Sequence, residues 1–191
     1  MKKIKIPVEV SARHIHLSQK DLDKLFGKNY TLHKLKDLSQ VGDFAAKEKV
    51  ALVKTNTCVH GLRIVGPTRT ESQIELSFTD AVHLGIDAPV VLSGKLENVK
   101  TFLEVKGPKG KTKVKVIVPE RHLHCSPQEA KKYNLKNGQK VGVEIIGNRG
   151  LIFNNINVRI GADFKMACHL DTDEANACGL NKVCGVGMLI L

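Results

Sequence analysis

The sequence predicts a mainly β protein: two similar small β-barrels with short capping helices, related by a pseudo-twofold internal repeat. Three observations predict it. Short apolar or alternating segments separated by glycine-containing turns recur along the chain, with few helix-length amphipathic stretches. The hexapeptide Arg13-His14-Ile15-His16-Leu17-Ser18 returns 108 residues later as Arg121-His122-Leu123-His124-Cys125-Ser126. A second pair, residues 79–86 and 173–180, matches at an offset of 94, each an acidic start closed by glycine (Gly85, Gly179).

Residues 3–10 alternate loosely and are rich in Ile and Val, as in a strand. The first hexapeptide continues extended, and Ser18 then caps a helix, with Asp21 as its capping-box partner and Gly27 as its stop. Candidate strands follow at 49–53, 62–65, 73–77, 89–92 and 112–118. The last has lysines on one face and valines on the other. The basic stretch 105–111 reads as a turn and a junction between two halves. The second hexapeptide repeats the arrangement, with Ser126 as N-cap, Pro127 at N1, Glu129 at N3 and a helix end near Asn137-Gly138. Strands are then expected at 140–146, 151–153, 156–160, 164–169 and 186–191.

Composition narrows the class. Of 191 residues 42% are hydrophobic, enough for a core, but only 4% are aromatic, so Val, Ile, Leu and Ala must fill it. No apolar run approaches the roughly 20 residues of a membrane span, and no signal segment follows the charged N-terminus, so a soluble cytoplasmic protein without a membrane partner is expected. Five cysteines, odd in number and without CxxC spacing, fit reduced thiols. The net charge of +11 fits either a solvated lysine-rich surface or an anionic partner. Aromatics do not interleave with the lysines, which argues against single-stranded nucleic acid.

The chemistry lies in the histidines. In a strand, residues i and i+2 point to one face about 7 Å apart, so His14 and His16 can converge on an ion, as can His122 and His124. A lone His-x-His is most often a pair of ordinary strand histidines. Two copies in one frame are not, and a catalytic zinc wants three protein ligands. The offset of 94 supplies the third, placing Glu75 opposite His169, each followed by leucine. The expected sets are His14/His16/Glu75 and His122/His124/His169. Imidazole and carboxylate favour zinc, with Co, Fe and Mn sharing the donor set. Alternation turns Cys125 and Cys168 to the opposite face, as packing residues. Arg69, six residues before Glu75, reads either as a surface arginine or as a phosphate ligand. Arg13 and Arg121 fall on the face away from the histidines, with a packing or salt-bridge role, and His33, His60 and His83 have no partner spacing.

With these residues in hand, the chain resembles the PduL-type phosphate acyltransferases, also called phosphotransacylases or phosphate propanoyltransferases. The resemblance runs through residues 10–18, 35–40 and 44–48, Gly66-Pro67-x-Arg69, Gln73-x-Glu75, Arg121-His122-x-His124-x-Ser126-Pro127, and His169-Leu170-Asp171-Thr172-Asp173-Glu174-Ala175-Asn176. Cys125 stands where many members carry methionine.

The resemblance implies reversible transfer of a short acyl group, acetyl or propanoyl, between coenzyme A and inorganic phosphate. It implies two β-barrel domains with two zinc ions at their interface. The ligands carry over as His14, His16 and Glu75 for one zinc and His122, His124 and His169 for the other, with Arg69 as the catalytic, phosphate-binding arginine. One domain would join residues 1–12 to 120–191, the N-terminal strand completing its barrel, and 13–119 would form the other. The family is compatible with a homodimer. The first motif lies close to the N-terminus, which speaks for a free enzyme over a microcompartment resident. Lysines between 95 and 115 either meet the CoA phosphates or form a solvated turn. Two other readings use the same residues: a dizinc hydrolase of phosphoesters or thioesters, and a nucleic-acid-binding double barrel with structural metal.

Overall fold

The computed structural model describes residues 3–54, 57–180 and 184–191. The chain runs β1 (Lys3–Ser11), β2 (His14–His16), α1 (Gln19–Phe26), β3 (Lys34–Asp37), β4 (Phe44–Lys54), β5 (Thr57–Gly66), β6 (Gln73–Glu75), α2 (Phe78–His83), β7 (Val90–Val91), β8 (Phe102–Lys106) and β9 (Lys111–Pro119). It continues through β10 (His122–Cys125), α3 (Pro127–Tyr133), β11 (Lys140–Ile145), β12 (Leu151–Ile160), β13 (Ala167–Asp171), α4 (Thr172–Ala177) and β14 (Cys184–Ile190). Strands dominate, and helices are short, as the sequence predicts.

The residues divide into two compact units, Met1–Ala12 with Glu120–Leu191, and Arg13–Pro119. In the first, six strands close in the order β1-β13-β10-β12-β11-β14. In the second, β4-β5-β2-β6-β9 closes because β8 pairs with both β4 and β9. The long β4 carries β3 along its first half and β8 along its second, and β7 is added beside β9.

Strand for strand the two rings match. The His-x-His strands β2 and β10 each pair parallel to β5 or β12 and antiparallel to β6 or β13. A second parallel pair is β9 on β6 in one ring and β1 on β13 in the other. Each repeat therefore gives its leading strand to the other repeat's barrel. Two residues separate β1 from β2, and two separate β9 from β10.

Alternation builds both cores. Ile6 and Val8 of β1 turn inward while Lys3, Lys5 and Pro7 face out. They join Leu123, Val143, Ile156, Val158 and Leu170 in one core, and Ile15, Leu52, Ile64, Ile74, Val105 and Val116 fill the other. Burial of such aliphatic side chains, at about 1.5–3 kcal/mol each, is the main force holding barrels that have almost no aromatic core.

Several local expectations change. Ser18 caps α1, but Asp21 does not complete the capping box; the Ser18 backbone N–H donates to Ser72 Oγ at 2.9 Å instead. Asp21 is occupied by Ser72, Lys24 and Thr112. α3 ends at Tyr133 rather than near Gly138, because Asn134 adopts a left-handed conformation (φ 53°) and stops it. Residues 151–160 form one strand, with Asn155 at φ 59° inside it.

The basic stretch 105–111 is not a junction. It is the β8–β9 hairpin turn, and it caps α1: Lys109 N–H donates to the Leu25 carbonyl at 2.9 Å. A Cβ on Gly107 or Gly110 would come within 2.6 Å of the Leu25 or Lys24 carbonyl oxygen, so only glycine lets the turn approach. β3 and β8 lie outside the strands expected from sequence. The four residues of β3 are all exposed, so no burial pattern marks them, whereas β8 alternates plainly, with Leu103 and Val105 inward.

Candidate metal centres

A short strand places each pair of histidines. β2 sends Ile15 into one core and turns His14 and His16 to the other side, and β10 does the same with Leu123 between His122 and His124. The neighbouring antiparallel strand supplies a third group. Glu75 lies across the ladder from His14, and His169 lies across from His122. Donor atoms in each set, His14/His16/Glu75 and His122/His124/His169, lie within 4.8 Å of one another.

In the first set, His14 Nε2 stands 3.1 Å from His16 Nε2. Glu75 carboxylate oxygens stand 3.6 Å from His14 Nε2 and 3.7 Å from His16 Nε2. Three ligands bound tetrahedrally at about 2.0–2.1 Å would be separated by about 3.3 Å, so the residues present fit a zinc-sized ion. His16 Nδ1–H donates to the Val65 carbonyl at 3.1 Å, which leaves the Nε2 lone pair for a metal. Burial, and then the neighbouring His14, push the His16 pKa well below the ordinary imidazole value, so the ring is neutral, the form that binds metal. Burial raises the Glu75 carboxyl, but His14, His16, a hydrogen bond from Ser93 and Arg69 together outweigh it and keep the group ionised.

A polar relay holds that carboxylate. Ser93 Oγ donates to Glu75 Oε1 at 2.7 Å, and Gln73 Nε2 donates to the same oxygen at 2.5 Å. Gln73 is fixed in turn by the Gly94 backbone N–H at 2.9 Å. Arg69 Nη1 donates to Ser93 Oγ at 3.4 Å, so guanidinium and carboxylate share one hydroxyl. The Arg69 backbone N–H donates to the Leu17 carbonyl at 2.9 Å, tying the loop to the residue after His16. Burial lowers the Arg69 pKa, against Glu75 and Asp43, and the guanidinium stays charged at any physiological pH.

In the second set, His122 Nδ1–H donates to the Glu120 carbonyl at 2.9 Å, again leaving Nε2 as the donor. The Glu120 carboxylate is itself held by Lys140 at 2.9 Å and Asn157 at 3.1 Å. Glu9 of β1 comes within 3.8 Å of His169 Nδ1. Phe164 stacks on His124 with ring centroids 3.9 Å apart.

The profile of the phosphate propanoyltransferase family matches residues 7–181. A phosphate propanoyltransferase of Clostridioides difficile is 42% identical over 93% of this chain and 85% of its own length. One of Enterococcus faecalis is 45% identical over 92% and 83%. One of Salmonella typhimurium is 42% identical over 95% and 87%. The chain belongs to the phosphate propanoyltransferase family. It is therefore an enzyme of the acyltransferase class. No helix among the described residues is long and apolar enough to cross a membrane.

Within this family member, the residues flanking the histidines do structural work. Arg13 pairs with Asp80 at 2.6 Å and Arg121 with Glu174 at 2.9 Å, the same bridge in both repeats. Cys125 and Cys168 are buried packing residues, and burial pushes the Cys125 thiol up to about 11 and Cys168 higher still, so neither offers a thiolate. His33 is engaged with Glu48 at 2.6 Å. Ser93, Asp43, Glu120, Glu9 and Phe164 were not singled out from sequence. Gln73, named in the Gln73-x-Glu75 motif without a role, lies two residues before Glu75 on the same face of β6. Phe164 was expected in a strand; it lies in the turn before β13, its N–H donating to the Gly161 carbonyl.

Proposed function

We propose that this chain catalyses reversible transfer of an acetyl or propanoyl group between coenzyme A and inorganic phosphate, with a zinc ion in each histidine set. The Arg69–Ser93–Glu75 relay carries the reading. It joins a cation suited to bidentate phosphate binding to the carboxylate of a three-donor set through a single hydroxyl. The relatives are phosphate propanoyltransferases, a name that gives phosphate and a propanoyl group.

In the reaction, a phosphate oxygen attacks the thioester carbonyl carbon, the new C–O bond forms, and the C–S bond breaks. The proton of hydrogen phosphate ends on the CoA thiolate, so acyl phosphate and CoA are the products. Phosphate is anionic at neutral pH and needs no strong base, so the protein's task is to hold it in line. Arg69 does this from a loop fixed at its backbone to Leu17 and at its side chain to Ser93. His14, His16 and Glu75 would hold one zinc and His122, His124 and His169 the other, the first serving phosphate and the second the thioester. Zinc supplies Lewis acidity toward the carbonyl and affinity for the leaving sulfur. No cysteine nucleophile is required, and all five cysteines are free thiols, which fits a reducing cytoplasm.

The test is thiol release from acetyl-CoA and propanoyl-CoA with and without phosphate, alongside metal quantification. Release that depends on phosphate, with two zinc per chain, supports the proposal. Release without phosphate turns the reading into a hydrolase and overturns it.

A further inference from the structure

The loop between β5 and β6, residues 67–72, and the loop between β12 and β13, residues 161–166, hold the same place in the two barrels and have the same length. Both dock on the carbonyl just beyond the second histidine of their barrel. In one, Arg69 N–H donates to the Leu17 carbonyl at 2.9 Å; in the other, Gly161 N–H donates to the Cys125 carbonyl at 3.2 Å. The donors are two positions out of step because Pro67, the counterpart of Gly161, has no N–H. The first loop thus brings a guanidinium to the carboxylate site. In the second, the counterpart of Thr70 is Phe164, and its ring lies on His124 at 3.9 Å between centroids and 17° between planes.

That placement is built. A Cβ on Gly161 would meet the Phe164 ring at 2.8 Å, so the ring can lie there only over glycine, and the Arg159 guanidinium sits 5.8 Å from the ring centroid. Arg159 is also the neighbour of His124 across the parallel β10–β12 ladder. Glycine and guanidinium both bear on the ring that stacks on the His124 imidazole.

We propose that Phe164 is a positioning residue of the all-histidine site: stacked on His124, it fixes that imidazole's orientation and thereby sets the site's affinity for zinc. The inference rests on the two-zinc reading above. Groups that orient a ligand from behind commonly change metal affinity by about 10–100-fold. The carboxylate site has Thr70 in this position and serves as an internal control.

The experiment is competition for zinc between the full-length apoprotein and a chromophoric chelator, with His124→Ala marking which equivalent belongs to the all-histidine site. Phe164→Ala and Phe164→Leu should weaken that equivalent by about 10–100-fold and leave the other unchanged, while Phe164→Tyr restores it. Gly161→Ala, which leaves every proposed ligand intact but displaces the ring, should reproduce the loss. Wild-type affinity for both equivalents in Phe164→Ala, Phe164→Leu and Gly161→Ala overturns the role of Phe164 alone. Equal loss at both sites, with a lower apoprotein melting temperature, also overturns it, in favour of a general structural effect. A wild-type protein that binds fewer than two equivalents overturns the two-zinc reading and this inference with it.

Discussion

Glu75 sits directly across the β2–β6 ladder from His14, with a carboxylate oxygen 3.6 Å from the imidazole Nε2. The strand register therefore makes the third donor, and Glu75→Gln should keep the shape of the site while removing its anionic ligand. The expected outcome is loss of one of two zinc equivalents after dialysis, measured by elemental analysis. Retention of both would remove Glu75 from the ligand set.

Arg69 reaches the same carboxylate through Ser93. Removing a charged hydrogen-bonding group costs about 1.5–3 kcal/mol, or roughly 10–150-fold. Arg69→Ala should lower kcat/KM for phosphate by that factor, with little change in zinc content. Arg69→Lys should recover only part of it, because an ammonium cannot make the two-pronged contact. Unchanged phosphate kinetics in Arg69→Ala would refute the assignment.

Asp21 gives a pH-dependent test of the framework. Burial alone would raise its carboxyl, but hydrogen bonds from Ser72, Lys24 and Thr112 outweigh this and bring it below the usual range. With the folded value below the unfolded one, its stabilisation is present above about pH 4 and fades as pH falls through the folded value. In urea melts, Asp21→Asn should be less stable than wild type at pH 7, and the gap should narrow below about pH 4. A gap independent of pH would contradict the linkage.

The thiols should divide by burial. Cys58 and Cys184 are exposed, while Cys125, Cys168 and Cys178 are buried. An aromatic disulfide reagent should label the first two quickly and the other three only on unfolding. Cys125→Ser and Cys168→Ser should retain phosphate-dependent thiol release, apart from any loss of folded protein. Abolished turnover in a folded variant would require a cysteine in the chemistry.

The histidine strands and their caps are legible in the sequence because the signals are local: alternation, then Ser18 or Ser126, then a helix start. Glu75 and His169 are legible at longer range for a specific reason. The helix N-caps Ser77 and Asp171 each follow the third donor by two residues, so one offset carries from the capped helices back to both residues. Ser93 is hidden, since it lies beyond α2 in a loop and reaches Glu75 only through tertiary folding. Phe164 reads as strand in the sequence because an aromatic beside a lysine continues the alternation, and the turn at Gly161 that breaks it is a matter of packing. β3 is unreadable by burial, since all four of its residues are exposed and its ladder is to β4.

The exchange of leading strands also fixes an order of events during synthesis. β1 precedes every other described strand, yet its two neighbours, β13 and β14, are the last of them. Residues 13–119 contain every strand of their own ring and can close it while the remaining chain is still being made. β1 must wait, with Ile6 and Val8 uncovered, until β13 and β14 have been made. The segment that leads into the first histidine pair is thus made before its barrel partners and docked after them, so its ring closes only once β14 exists.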